Sequence, residues 1–323
     1  MTHWSTRLFH HGYFFDPSYG YTLGDLLAVT APEPPSDFAR FWRGLYERAR
    51  RVESAPTVRE LSSPHPQSCL FRVEFGSLDG FRVGGWLLRP RGEPVERGVI
   101  VGHGYGGRDG PDFALPFRRA ALLFPCARGL SWSACPHLPP DPDLHVLHGI
   151  ERPETYIHGG CVADTVWCAA SALLQLFPMI ARLDYVGTSF GGGIGVLALP
   201  WDERFRGAHL NVPSFGHHPL RLTLPCVGSG EAVRRYQRRT GRALETLRYF
   251  DAAVAARYCK IPVHVAAARF DPAVPPPGQF AIHNALAGPK ELFVRAAGHF
   301  EHGGLPAETA RLQDALAYFF KIL

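Results

Sequence analysis

The sequence predicts an α/β fold built on a mostly parallel central sheet flanked by helices, and three observations carry that expectation. From Gly98 onward, short β-branched apolar runs alternate with longer helix-like stretches, the pattern of strand–helix–strand units. One such run, Arg182 to Val186, leads straight into Gly187-Thr188-Ser189-Phe190-Gly191, a G-x-S-x-G turn of the strand-to-helix kind. Two later runs end in Asp271 and in His299. In a parallel sheet the C-terminal strand ends share one edge, so these three side chains can converge there. The chain of 323 residues, 46% of them hydrophobic, suffices for one large domain with an ample core.

Residues 1–95 read as an N-terminal extension with the first strands. Ser36 is placed to cap a helix whose apolar residues Phe38, Phe41, Trp42, Leu45 and Ala49 follow helical spacing. Cys69 to Phe75 and Phe81 to Leu88 read as a hairpin around Ser77-Leu78-Asp79-Gly80. Gly98 to Val101 is a short strand that opens into Gly102-His103-Gly104-Tyr105-Gly106-Gly107. Cys135 to His158 holds His137, His145, His148 and His158 among several prolines. Those spacings match no recognised zinc pattern, so a proline-rich loop near the active-site edge is expected. Gly193 to Leu199 can begin a helix packed on the strand before the serine. Asn211 to Arg257 is long enough for a small helical cap. Ile261 to Ala268 and Glu291 to Arg295 are the strands that deliver Asp271 and His299.

A serine becomes a nucleophile only with a base beside it and an acid orienting the base. The order Ser189, Asp271, His299 is the chain order of hydrolases that use this elbow. Small neighbours are required on such a turn, because a Cβ on either flank would meet the adjoining backbone. Read alone, the motif favours the elbow but leaves room for a glycine-rich turn with an incidental serine; the acid and the base in sequence decide for catalysis. Ser214 is a rival nucleophile without an elbow, and Asp251 is a rival acid that precedes a helix. The glycine-rich loop after Val101 leaves backbone N–H groups free to face a developing oxyanion, and the donors assigned are those of Tyr105 and Phe190. No Gly-Lys-Ser/Thr follows that loop, so a phosphate cradle of the Walker type is poorly supported.

With these residues in place, the chain resembles the acetyl xylan esterase / cephalosporin C deacetylase family of the α/β-hydrolase fold, over nearly its whole length. The resemblance runs through Pro35-Ser36-Asp37-Phe38 with Phe41-Trp42, the loop Gly102 to Arg108, and Ala127-Arg128-Gly129-Leu130-Ser131. It continues through Glu154-Thr155-Tyr156 with Asp164, Tyr249-Phe250-Asp251, Asp271 with Pro275-Pro276, and Gly298-His299. It implies a catalytic triad of Ser189, Asp271 and His299, backbone donors at Tyr105 and Phe190, and deacetylation of an ester. Two positions depart from the family. Phe190 stands where glutamine is usual, and Leu130 stands at the end of what is usually Arg-Gly-Gln. A larger, more apolar pocket wall is the expected consequence.

Composition fits a soluble enzyme of the cytoplasm. No run approaches the ~18 apolar residues of a membrane span, and Met1 to Tyr13 lacks the apolar stretch of a secretory signal. Seven cysteines at irregular spacing favour reduced thiols, Cys126 and Cys135 included. The net charge of +5 concentrates in Arg234 to Arg242, read as a solvated helix face and not as a nucleic-acid site. His217, His218 and His302 are expected on surfaces or loops. The expected partner is a small-molecule ester, with no metal or organic cofactor, no nucleic acid and no membrane; the family resemblance makes a homo-oligomer possible. A peptidase or thioesterase on the same scaffold is the alternative within enzymes, since a triad does not choose its leaving group. A binding protein that keeps the fold without catalysis is the alternative outside them.

Overall fold

A nine-stranded sheet with the order β1-β2-β3-β5-β4-β6-β7-β8-β9 organises the molecule. The computed structural model describes residues 9–323, so Met1 to Leu8, on which the expectation about a secretory signal partly rests, lie outside the described residues. The strands are β1 (Thr57–Leu61), β2 (Ser68–Gly76), β3 (Arg82–Pro90), β4 (Arg97–Gly102), β5 (Ala120–Pro125), β6 (Arg182–Thr188), β7 (Phe205–Asn211), β8 (Val263–Ala268) and β9 (Lys290–Arg295). The first three are antiparallel, and β3 joins β5 antiparallel; β5, β4 and β6 to β9 are all parallel. The predicted hairpin is β2 and β3. Strands β5 and β7 were not singled out in the sequence.

The helices in chain order are α1 (Leu23–Ala28), α2 (Phe38–Arg50), α3 (Pro142–His145), α4 (Ile157–Val162), α5 (Ala169–Leu176), α6 (Phe190–Ala198) and α7 (His218–Arg221). They continue with α8 (Ser229–Thr240), α9 (Ala243–Leu247), α10 (Ala252–Ala256), α11 (Pro276–Ala285) and α12 (Leu305–Ile322). A π-helical stretch, Ala163–Cys168, joins α4 to α5. Together they make one helical run, Ile157–Leu176, of 20 residues that is long and apolar enough to cross a membrane, contrary to the sequence reading. Its most apolar window is 83% buried within the protein, which marks it as a core helix. Asp164 sits inside that run fully buried, and Arg128 neutralises it through two hydrogen bonds of 2.8 Å.

Parallel strands with helices on both faces need apolar residues throughout. β8 supplies them in Val-His-Val-Ala-Ala-Ala, every residue buried. One face of the sheet carries the larger core, which includes Trp42, Trp167, Tyr185, Phe205 and Phe250. The other carries Val99, Val101 and Phe124 beneath Leu312, Leu316, Phe319 and Phe320 of α12. Helix α2 joins the first core through Phe38 and Trp42, whose indole donates to the Tyr249 carbonyl at 2.7 Å. Its N-cap is Asp37, not Ser36, and the carboxylate makes no cap hydrogen bond because the Tyr249 hydroxyl donates to it at 2.7 Å.

The topology selects the site. After β4 the chain runs to β5 on one side, then returns to β6 on the other. Loops leaving β4 and β6 diverge there, opening a crevice at the carboxyl edge of the sheet. Gly102 and Gly187 are register partners on that edge, as are Thr188 and Asn211. Between β7 and β8 run helices α7 to α10, of which the end of α7 and the start of α8 reach the crevice.

Candidate active site

Ser189 occupies the turn between β6 and α6 at φ 56° and ψ −113°, a conformation that β-carbon-bearing residues rarely adopt. The surroundings hold it there. Its N–H donates to the Asn211 carbonyl at 2.8 Å, and its carbonyl accepts from Ser214 and Gly193, each at 3.0 Å. Gly191 lets α6 press against the β4 loop: a Cβ at that position would lie 2.7 Å from the Gly102 carbonyl carbon and 2.8 Å from the His103 oxygen. The sequence therefore specifies the elbow through backbone contacts that only glycine permits.

Asp271 follows β8 and is fully buried, and His299 follows β9 at φ 44°. The His299 Nδ1–H donates to Asp271 Oδ2 at 2.8 Å, with Oδ1 at 3.1 Å, and Ser189 Oγ–H donates to His299 Nε2 at 2.9 Å. The carboxylate also accepts from the Ala273 and Val274 N–H groups, each at 2.9 Å, and from the Gln279 amide at 3.0 Å. Gln279 is fixed in turn by the Ala268 N–H and the Val274 carbonyl. A Cβ at Gly298 would collide with the Asp271 carboxylate, so glycine is required where the histidine loop crosses the acid. Burial disfavours the His299 imidazolium, but the hydrogen bond and charge of Asp271 outweigh it and raise its pKa above the ordinary 6.5.

The N-terminal segment reaches this acid. The Asp271 N–H donates to the Pro17 carbonyl at 3.1 Å, and the Tyr19 hydroxyl donates to the Pro225 carbonyl at 2.7 Å.

Tyr105 follows β4 and Phe190 follows Ser189 at the start of α6, their ring centroids 4.5 Å apart, and neither backbone N–H finds an acceptor among the described residues. The Phe190 N–H begins α6, where the helix dipole adds positive potential. The loop that carries Tyr105 is fixed by buried histidines. His103 Nδ1–H donates to the Gly104 carbonyl at 2.6 Å while its Nε2 accepts from the Ala127 N–H at 3.0 Å. Burial pushes His103 down to about 4, so it is neutral and this tautomer is set by its partners. His145 Nε2–H donates to the Arg128 carbonyl at 2.8 Å, which leaves Nδ1 to accept from the Tyr105 hydroxyl at 2.9 Å. The same hydroxyl accepts from His158 Nε2–H at 3.1 Å. Two histidines of the proline-rich stretch thus clamp the Tyr105 side chain from behind. Sequence reading placed them only near the edge. His218, expected on a surface or loop, is likewise buried against the Phe250 carbonyl.

Replacing Tyr105 with phenylalanine is expected to leave two buried imidazole nitrogens unmatched. A loss of about 1–3 kcal/mol in urea unfolding should accompany reduced turnover; unchanged stability would show that the hydroxyl does not fix the loop.

A cavity of about 610 Å³ opens over Ser189 and His299. Ser214 and Phe215 form one side, Gly104 to Gly106 another, and Arg221 with Val227 to Gly230 the cap. Ser214, the rival serine, is buried and donates its N–H to the Ser189 carbonyl, but it is Ser189 that meets His299. Asp251 is a structural acid: its carboxylate accepts from the N–H groups of His217, His218, Ala253 and Val254, tying α10 to the loop after β7. Burial raises its pKa to about 6. Phe190 and Leu130 do not form the apolar wall expected of them. Phe190 is 2% exposed and packs inward among Tyr105, His103, His158 and Phe215, while Leu130 is 3% exposed in the core. An aromatic ring on the first turn of α6 gains more by filling that inner gap than by facing water. The cavity surface keeps Thr188, Ser214, Ser229, Asp141 and Asp143. The arginine cluster lies on α8, where Arg234 and Arg235 pair with Glu231 and Arg238 is exposed. All seven cysteines are free thiols.

The family model for acetyl xylan esterase (AXE1) matches residues 28–317. Among solved structures, an acetyl xylan esterase from Paenibacillus sp. R4 is similar at 23% identity and a TM-score of 0.78, covering 91% of this chain and 99% of that one. Acetyl xylan esterase 1 from Thermoanaerobacterium sp. JW/SL YS485 is similar at 19% identity and a TM-score of 0.74, covering 94% of this chain and 99% of that one. An acylaminoacyl peptidase from Pyrococcus horikoshii shares the fold more distantly, at 16% identity and a TM-score of 0.56 over 84% of this chain and 42% of that one.

Proposed function

Because the chain belongs to the acetyl xylan esterase family and is a carboxylic ester hydrolase, we propose that it removes short acyl groups, acetyl above all, through an acyl-enzyme formed on Ser189. The observation that carries this reading is the continuous relay from Ser189 Oγ through His299 to Asp271, opening on the 610 Å³ cavity. As the hydroxyl attacks the ester carbonyl, His299 Nε2 takes its proton, and Asp271 holds the ring and stabilises the imidazolium. The Tyr105 and Phe190 N–H groups receive the oxyanion, where loss of one such donor typically costs ~3–4 kcal/mol. His299 then protonates the departing alcohol. Water enters, loses a proton to the same nitrogen, and releases the acid while Ser189 is restored. The steps use side chains, backbone and water.

Thr188, Ser214, Ser229, Asp141 and Asp143 give a largely apolar cavity wall a few groups able to hydrogen-bond the alcohol. Hydrolysis of p-nitrophenyl acetate, butyrate and octanoate is the direct test of acyl length. Turnover is expected to be fastest on acetate and to fall with each longer chain. Preference for octanoate would replace the deacetylase reading with a lipophilic esterase, and no turnover on any of the three would favour a peptidase or a non-catalytic binding scaffold.

A further inference from the structure

Arg221, the last residue of α7, lines the catalytic cavity half-buried. Its guanidinium lies 5.8 Å from the Phe215 ring centroid and makes no ion pair and no hydrogen bond among the described residues. Four other sheltered arginines, Arg128, Arg182, Arg204 and Arg295, each hold a carboxylate within 3.0 Å, and Arg108, which has no carboxylate, still donates to the Val101 carbonyl at 3.0 Å. Removing a cation from water without an anion is costly. The cost is compounded here, because Arg221 is packed against the first turn of α8, where a Cβ at Gly230 would meet the guanidinium. That helix end carries partial positive charge. Glu231 in the same turn is no remedy, since its oxygens bind Arg234 and Arg235.

We propose that Arg221 is a specificity-determining residue that binds a carboxylate carried by the alcohol portion of the ester. The inference rests on the deacetylase reading above: an acetyl group has no charge to offer, so the anion must belong to the alcohol. A planar guanidinium matches a carboxylate in a two-point fork. Ser214 and Ser229 line the same cavity and add hydroxyl donors. Asp141 and Asp143 stand exposed elsewhere on its rim. Asp141 is engaged in capping α3, and both acids disfavour a doubly charged phosphate over a single carboxylate.

The test compares 4-acetoxybenzoate with its neutral methyl ester, methyl 4-acetoxybenzoate, in the wild type, Arg221→Gln and Arg221→Lys. The anionic-to-neutral ratio of kcat/KM is compared between proteins, which cancels the intrinsic reactivity of the two leaving groups. Loss of one charge-assisted contact should lower that ratio about tenfold or more in Arg221→Gln, mainly through KM. Arg221→Lys, which keeps the charge without the fork, should fall between. Added salt should narrow the wild-type preference. An identical ratio in all three proteins would overturn the proposal while leaving the esterase reading intact. Failure of the wild type to hydrolyse the neutral acetate would instead overturn the esterase reading and this inference with it.

Discussion

Replacing Ser189 with alanine is expected to lower kcat for p-nitrophenyl acetate by a factor on the order of 10⁴ to 10⁶, with the fold preserved. The large effect follows from what is removed. Ser189 Oγ is the atom that meets His299 Nε2 at 2.9 Å, and without it the base can act only on water. The small structural effect follows from the backbone: the Asn211, Ser214 and Gly193 hydrogen bonds that hold the turn all involve Ser189 main-chain atoms. Unfolding free energy should change by no more than about 1 kcal/mol. A fluorophosphonate probe should label the wild type and not the variant. Wild-type-like turnover in Ser189→Ala would remove the serine from the mechanism.

Asp271→Asn is expected to lower kcat by a factor on the order of 10⁴. All the partners of the carboxylate are donors: His299 Nδ1–H, the Ala273 and Val274 N–H groups and the Gln279 amide. An asparagine amide must turn one N–H₂ toward that set, displacing a donor or forcing His299 into the tautomer that cannot accept from Ser189. The pH profile gives a second readout. Catalysis needs neutral His299, so kcat/KM rises as pH rises through its pKa. Burial lowers that pKa and Asp271 raises it further than burial lowers it, so the wild-type midpoint lies above 6.5. Removing the negative charge leaves burial dominant and moves the midpoint down. A midpoint that fails to fall would show that Asp271 does not govern His299.

The proposed triad is legible in the sequence because each member follows an apolar strand run, and strand ends are what a parallel sheet gathers together. The oxyanion loop is legible for a related reason, since its glycines mark a turn directly after β4. The parts that escape the sequence act through tertiary contact. Gln279 lies in α11, eight positions beyond Asp271, and its amide orientation is set by Ala268 and Val274. His145 and His158 come from a segment whose composition announces a loop, yet burial beside Tyr105 makes them supports. Phe190 shows the limit in the other direction. Its place after the nucleophile suggested a side chain facing substrate, but the first turn of α6 points it into the aromatic cluster with Phe215 and His158. The role proposed for Arg221 is invisible in the sequence because nothing local distinguishes it from a surface arginine; what does is its place on the cavity with no ion pair among the described residues.

The contact between Pro17 and Asp271 bears on how this protein is handled in the laboratory. The family match begins at residue 28, and an expression clone trimmed to that point would discard the carbonyl that accepts the Asp271 N–H, along with Tyr19 and its grip on Pro225. Such a clone would retain every strand described and Ser189, Asp271 and His299. Its assays would nevertheless describe a protein whose Asp271 has lost one of its tethers, so kinetic constants should be taken from protein that includes Pro17 and Tyr19.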